Sequence, residues 1–389
     1  NRIISGLRLS GKINENTRIG LLNVLTDQDI NNEIAQNNNT LLTFRNKVSK
    51  GSNFSFFFLN RESIKEYSFS INKEKYNRVI GGEYNLASGD GKWFGKVFLH
   101  KSFRPAKTDN NKSISSGFMI TRNTKKNLIM FYSAYVGDNF RSDLGYYRRY
   151  GMYKFEPNYR FRIYPNNPKI HEIEFSHYAA WVFRTNLDNK YEGNIHYSQI
   201  QLKYLNTSRL SLQRRQTKTY LYNDFDPTRS SDSTPLPKNN FYDYVDYIFS
   251  YKSSSRNIFN IDSSISYGSF FNGEKFSFYN ELAFRRQPIF NTSIKLNFDS
   301  IKLPSPYSSK DIWLISPKFE FTFSKKIFWT TYIQYSSQLE DLGINSRLQY
   351  RFAPLSDLYL VYNDNYFTTN SIQPRFRSIN LKLTYWFNI

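Results

Sequence analysis

Apolar and polar side chains alternate along this chain, most clearly at its C-terminal end. Apolar residues occupy every second position there: Ile379, Leu381, Leu383, Tyr385, Phe387 and Ile389. A period of two places the apolar and polar sets on opposite faces of a β-strand. Trp386 is the one large ring among the polar positions. The pattern predicts a strand with lipid on one face and water on the other.

The same alternation recurs upstream. Segments 153–163, 276–285 and 342–352 each set Phe, Tyr, Leu or Ile against charged and amide side chains. Turn-forming clusters separate such segments: residues 124–127, 253–256 and 353–356. Counting through the chain predicts about 21 strands of roughly 9–15 residues, a length that crosses a bilayer when the strands are tilted.

Short turns and longer connections are expected to alternate, as they do in outer-membrane barrels. The longer connections are predicted near residues 27–38, 62–74, 103–112, 138–151, 222–240, 300–311 and 368–375. We assign them to the cell surface, and the short turns, such as residues 324–326, to the periplasm. The C-terminus is then periplasmic. An even strand number with both ends in the periplasm would require one more strand before residue 1.

Composition supports a membrane barrel. No run of 18 apolar residues occurs and the mean hydropathy is −0.62, which excludes a transmembrane helix. Yet 18% of the residues are aromatic, with 31 Tyr and 35 Phe, and aromatic side chains gather at both membrane interfaces of barrels. Disordered chains are poor in aromatics. Without cysteine, the chain has no disulfide and no thiolate site.

The predicted fold is therefore all-β. It is a transmembrane antiparallel up-and-down β-barrel of about 20–22 strands. One outer-membrane domain is expected over residues 1–389, with long surface loops and short periplasmic turns. The Ser- and Pro-rich stretch 229–238 is too short for an interdomain linker and is interpreted as a surface loop. No signal peptide is visible, so residue 1 is interpreted as an internal start.

The net charge of +21 leaves two interpretations open. It fits a nucleic-acid binder or an anion-selective lumen, or simply basic loops and turns. The positive charges are spread along the chain, with no basic helix and no RNA-binding motif. We therefore expect no nucleic-acid partner.

Four blocks resemble a family of Bacteroidota outer-membrane proteins. That family joins an N-terminal carbohydrate-binding-module-9-like domain to a C-terminal β-barrel of unassigned function. The blocks are Ser5–Lys12 with Ile19–Thr26, Gly137–Phe140 with Leu144–Tyr146 and Arg148, Arg351–Asn363, and Leu381–Phe387. Their order and spacing cover nearly the whole chain. The N-terminal module is not represented, and the family has no established catalytic residues to transfer. The resemblance implies location, barrel size and an upstream strand.

Charged residues at polar positions are candidates to line the lumen. The candidates are Lys154, Glu156, Arg160, Arg162, Glu172, Glu174, Glu281, Arg285, Lys318, Glu320, Arg347, Arg351 and Lys382. They predict either a solute path with an anion-leaning field or an interior in which the charges pair across strands. A barrel of this size leaks metabolites if it is open. We therefore expect occlusion by inward-folding loops, by an upstream segment or by a partner.

No enzymatic, metal or cofactor site is predicted. His171 and His177 share a strand face but lie roughly 20 Å apart, too far to chelate one ion. His100 and His196 show no evident partner in the sequence. No nucleophile-elbow motif occurs. Asp224, Asp226 and Asp232 match no calcium-loop spacing, and Ser88–Gly91 has the chemistry of a tight hairpin turn.

Three functions follow as hypotheses. The first is a channel or transport protein for polar or anionic solutes, with its lumen occluded by loops or a partner. The second is a non-catalytic structural or assembly subunit of an outer-membrane complex. The third is a glycan-binding surface protein. Expected partners are the lipid bilayer with lipopolysaccharide, the barrel-assembly machinery, and other outer-membrane proteins or lipoproteins. Leu383, Tyr385 and Phe387 are predicted to form the C-terminal assembly signal.

Overall fold

The computed structural model describes residues 2–65, 75–105, 112–185, 191–230, 233–369 and 371–386, and within them the chain forms 21 β-strands. The strands are β1 (Ile3–Lys12), β2 (Thr17–Thr26), β3 (Asn37–Lys47), β4 (Asn53–Ser63), β5 (Tyr76–Ala87), β6 (Trp93–Phe103), β7 (Ile114–Asn123), β8 (Asn127–Val136), β9 (Met152–Ile163), β10 (Ile170–Arg184), β11 (Tyr191–Tyr204), β12 (Arg209–Leu221), β13 (Asn240–Lys252), β14 (Phe259–Phe270), β15 (Gly273–Arg286), β16 (Phe290–Lys302), β17 (Lys310–Thr322), β18 (Ile327–Ser336), β19 (Asp341–Ala353), β20 (Ser356–Phe367) and β21 (Gln373–Thr384). Within the described ranges, no helix is long and apolar enough to span a membrane.

The strands form one antiparallel, up-and-down sheet in which consecutive strands pair. This confirms the all-β prediction and the count of about 21 strands. The strands have 10 to 15 residues, within the predicted lengths. In the part of the chain that is described, the sheet is not closed. Closure into a barrel and insertion into a bilayer therefore stay predictions.

The predicted long connections all follow even-numbered strands. Those between β8 and β9 (residues 137–151) and between β12 and β13 (residues 222–239) are the longest that are described nearly throughout. Not every connection after an even-numbered strand is long: β14 and β15, for which no long connection was predicted, are joined by Phe271 and Asn272 alone. Parts of four predicted long connections lie outside the described residues, namely 66–74, 106–111, 231–232 (with Asp232) and 370, as do Phe387 and Ile389.

The strands group into two compact units. Unit 1 comprises Asn1–Phe161 and Ser176–Ile195, and unit 2 comprises Arg162–Phe175 and His196–Ile389. Few large side chains are buried in either unit, as expected of a single layer of strands. The buried apolar cluster that the structure describes lies in unit 1 and consists of Val79, Val136 and Phe140.

Candidate functional site

One face of the sheet exposes its apolar side chains. On β6 of unit 1, the exposed fractions of Val97 and Leu99 are 56% and 59%. In unit 2, those of Ile265 and Leu381 are 43% and 70%. Monomeric soluble proteins rarely expose contiguous apolar patches larger than a few hundred Å². This face therefore requires an apolar covering.

Aromatic rings form two rows on the apolar face of unit 2. The first row runs Phe259, Phe284, Phe290, Phe321 and Trp329, with successive centroid distances of 5.0, 6.2, 4.6 and 5.3 Å. The second row runs Phe276, Phe298 and Trp313, at 6.3 and 4.4 Å. The first lies near the ends of the strands that carry the short turns, and the second lies toward the long connections.

The spacing between these rows is constant. On each of β15, β16 and β17, one ring of each row is separated from the other by eight positions, as Phe276 is from Phe284. Eight residues span roughly 27 Å along a strand. For a tilt of about 40° this gives a height on the order of 20 Å, close to the apolar band of membrane barrels. Aliphatic pairs such as Leu282 opposite Ile294 fill the space between the rows.

A charged pair interrupts the apolar face of unit 2. Asp364 lies on β20 with its side chain on the same face as Leu360, and only 2% of the residue is exposed. It accepts hydrogen bonds from the Tyr362 and Tyr366 hydroxyls at 2.6 Å each and pairs with Arg377 at 2.8 Å. All of these contacts are made by Oδ2, so Arg377 compensates the charge of the carboxylate, while its buried Oδ1 has no hydrogen-bond partner among the described residues.

The opposite, polar face carries the residues predicted to line a lumen. Ion pairs hold most of them: Lys154–Glu156 (3.0 Å), Arg162–Glu174 (3.0 Å), Lys318–Glu320 (2.7 Å), Glu281–Lys295 (3.7 Å) and Arg351–Asp357 (3.1 Å). Arg162 and Glu174 form the most buried pair of these, with side chains 16% and 10% exposed. Charge pairing, the second interpretation of these positions, therefore describes much of this face.

The remaining predicted residues lie on the same polar faces, and among the described residues none of them forms an acid–base pair: Arg160, Glu172, Arg285, Arg347 and Lys382. Arg285 donates a hydrogen bond to the carbonyl oxygen of Ser255 at 3.0 Å, and the Arg347 guanidinium lies 6.0 Å from the Tyr359 ring centroid. Their role in a solute path stays a prediction.

Two members of the predicted C-terminal signal lie within the described residues. Leu383 faces Leu358 across β20 and β21, on the apolar face, and is 65% exposed. Tyr385 is 59% exposed. Phe387 lies outside the described part of the chain. A role in assembly stays a prediction.

The connection between β8 and β9, residues 137–151, folds over the polar face of unit 1; we call it the capping loop. Phe140 is fully buried against Val79 and Val136, beside Phe57 and Leu59. These strand residues all point to the polar face. Their neighbours along the strands, such as Phe56 and Ile80, point to the apolar face and are exposed. The loop thus supplies an apolar partner for apolar side chains on a polar face.

Polar contacts hold the middle of the capping loop, and a glycine shapes its C-terminal end. Asn77 donates its side-chain amide to the Arg141 carbonyl at 3.1 Å and accepts from the Asp143 amide at 3.0 Å. Arg61 pairs with Asp143 at 2.8 Å. Gly151 has a φ of +65°, and a Cβ there would lie 2.0 Å from Asp138 Oδ1. Only glycine fits this point, because the backbone is left-handed and the space is taken.

The expectation that His100 lacks a partner is wrong. Its Nδ1 lies 3.0 Å from the Tyr147 hydroxyl of the capping loop, and its Nε2 lies 3.4 Å from Glu83 Oε1. Burial raises the pKa of the Tyr147 hydroxyl. Glu83 is also held by Lys96 at 2.8 Å. The cluster anchors the loop, and its contacts join strands and a loop far apart in sequence, so the sequence shows no signal for it.

The acidic loop between β12 and β13 is organised by its own side chains. Asp226 accepts hydrogen bonds from the amides of Thr228 and Ser230 at 2.8 and 2.9 Å and from the Ser233 hydroxyl at 2.5 Å. Burial opposes its ionisation, but these bonds outweigh burial and lower the pKa of Asp226. Asp224 accepts the Lys238 amide. Among the described residues, no group of three or more His, Asp or Glu side chains is placed to hold a metal ion.

Neither a scan against protein-family models nor a search of curated proteins finds a match for this chain. The resemblance to the Bacteroidota barrel family therefore stays a prediction. The two faces of the sheet are the features from which a function can be inferred.

Proposed function

We propose that this protein is an outer-membrane β-barrel that serves as a channel or transport protein for polar or anionic solutes. In this proposal the sheet closes, the apolar face meets lipid, and the polar face surrounds the solute path. The two aromatic rows of unit 2, about 20 Å apart in height, are the observation that carries it. The apolar side chains exposed between the rows add support.

The capping loop supports an occluded lumen. Phe140, Tyr147 and Tyr150 place aromatic bulk over the polar face of unit 1, where an open channel would leave water. Inward-folding loops constrict barrels that would otherwise leak. The expected result is a channel of low conductance that widens when the loop is loosened.

Quenching of tryptophan fluorescence tests the membrane part of the proposal. Single-tryptophan proteins that retain only Trp313 or only Trp329 are reconstituted in vesicles with lipids brominated at defined depths. Both residues lie in aromatic rows, so quenching should be strongest with shallow labels. No quenching of either residue, in protein that remains folded, would contradict membrane insertion.

Conductance in planar bilayers tests the channel part. Folded protein should give discrete steps, and deleting residues 141–148 of the capping loop should enlarge them. Complete silence of both proteins would contradict a solute path.

One observation favours the assembly-subunit alternative. Tyr146 is 87% exposed and Leu144 40% exposed in the capping loop, which gives this loop a partly apolar tip. Exposed aromatic residues are typical anchors of protein interfaces. Purification in mild detergent tests this alternative: a co-purifying partner that is lost on Tyr146→Ala supports it, and a barrel that always elutes alone opposes it.

A further inference from the structure

A cavity of about 560 Å³ opens on the polar face of β1–β5 in unit 1. Three arginines line it, Arg8 on β1, Arg18 on β2 and Arg45 on β3. All three lie on the polar face. Arg18 of β2 pairs directly with Arg45 of β3. Arg8 of β1 pairs with Leu22 of β2, which lies on the same face as Arg18 and pairs with Leu41 of β3. The volume lies within the range of small-molecule sites.

Lys154, Arg162 and Lys318 on the polar face are each paired with an acid, whereas these three arginines are not in the described part of the chain. In the described part of the chain, Arg8 and Arg18 make no ion pair or hydrogen bond, and Arg45 donates only to Asn53 Oδ1, at 3.0 Å. Among the described residues that line the cavity, Glu83 is the one acid, and Lys96 already pairs with it at 2.8 Å. The positive charge of the cavity is therefore uncompensated.

The register makes this arrangement costly. Lys12, Arg18 and Arg45 stand opposite one another on three adjacent strands. Like charges directly opposite each other destabilise a sheet. A bound anion would remove that cost.

The rest of the lining suits an oxyanion with an organic body. Ser10, Thr43 and Ser55 supply hydroxyl groups, while Leu22, Leu41 and Phe57 supply an apolar wall. Gly20 lies between Arg18 and Leu22 on this face, and a Cβ there would lie 2.6 Å from Thr43 Oγ1. Glycine thus keeps the cavity open between the arginines.

We propose that Arg8, Arg18 and Arg45 form a binding site for a small phosphorylated or polycarboxylated solute. The guanidinium fork matches phosphate and carboxylate oxygens with two parallel hydrogen bonds, which makes arginine suited to such anions. The site rests on the proposed function only in that its ligand is a passing solute. Binding itself requires no conduction.

Calorimetric titration of the folded full chain in detergent with pyrophosphate tests the site, and citrate provides the carboxylate arm. Wild-type protein should bind pyrophosphate saturably. Arg18→Gln and Arg45→Gln should each weaken binding at least about tenfold. Arg18→Lys, which keeps the charge but loses the fork, should bind with intermediate affinity. Citrate binding of similar strength assigns the site to oxyanions in general, and much weaker binding assigns it to phosphoryl groups.

Arg347→Gln is the matched control, because Arg347 is exposed on the polar face of unit 2 and pairs with no acid among the described residues. It should leave pyrophosphate affinity unchanged. No saturable binding, or equal weakening by Arg347→Gln, would overturn the site. Binding of pyrophosphate without any conductance would support the binding site and contradict the channel. Conductance without binding of either probe would support the channel and contradict the binding site.

Discussion

Two cavities on the polar faces differ in how their polar groups are satisfied. The cavity of unit 1 is lined by arginines that pair with no acid in the part of the chain that the structure describes, whereas a cavity of about 290 Å³ in unit 2 is lined by side-chain amides that hydrogen-bond to one another. There, Asn345 donates to Asn363 at 2.5 Å, and Asn363 donates to Ser378 at 3.2 Å. Lys318, opposite Tyr332 of the second cavity, is paired with Glu320 at 2.7 Å.

The difference shows that the net charge of +21 is not spread evenly over the polar faces. Where acids pair with bases, the charges stabilise the sheet and cancel each other, so little electrostatic field is left to attract a solute. Where three arginines have no acid partner among the described residues, their positive electrostatic field can attract an anionic ligand. Local pairing, rather than total charge, indicates where an anion would bind.

Release of the capping loop, which covers part of the polar face of unit 1, should have the largest effect. Phe140→Ala should destabilise the loop's packing by about 3 kcal/mol, because a fully buried ring leaves a cavity beside Val79 and Val136. Tryptic cleavage after Arg148 and Arg149 should then be about 100-fold faster. Tyr146→Ala, at an exposed position of the same loop, is the control. Equal cleavage rates in both variants would show that Phe140 does not hold the loop.

The second prediction tests whether paired charges are structural. Arg162→Gln leaves Glu174 nearly buried and unpaired, so the free energy of unfolding should fall by about 3 kcal/mol. Lys318→Gln breaks a pair whose side chains are both 41% exposed, and should cost less than about 1 kcal/mol. Urea unfolding of the folded protein in detergent measures both. Losses of the same size would break the distinction between buried and exposed pairs.

The smallest expected effect concerns an acid of unit 1 that is satisfied within its own turn. The Ser88 hydroxyl and the Lys92 amide lower the pKa of Asp90 from 3.8 to about 2. A lowered folded pKa means that the ionised carboxylate stabilises the turn above about pH 4, and that this contribution disappears as the pH falls toward 2. The Asp90 carboxyl carbon, followed by NMR, should titrate near pH 2. Titration near pH 4 would show that the turn does not hold the charge.

The strands could be predicted because each carries its own signal. The alternation of Leu381 and Leu383 with Asn380 and Lys382 fixes both a strand and its faces, without reference to any neighbour. The boundaries follow from turn residues such as 124–126, which lie between β7 and β8.

The capping loop and the arginine site could not be predicted in the same way. The run Phe56–Phe57–Phe58–Leu59 breaks the alternation, and this break was the available signal that something apolar covers Phe57. That the cover is Phe140 depends on a contact between distant segments. Likewise, Arg18 and Arg45 occupy polar positions that the alternation identifies, but their lack of an acid partner depends on the register of neighbouring strands.

The reversal potential in planar bilayers under a KCl gradient tests most directly whether the unpaired arginines set the field along a solute path. Wild-type protein should be anion-selective, Arg8→Gln/Arg18→Gln/Arg45→Gln protein should lose most of that selectivity, and Lys318→Gln protein should keep it. Cation selectivity of the wild type, or an unchanged reversal potential in the triple variant, would contradict a role for the arginine cavity in solute passage.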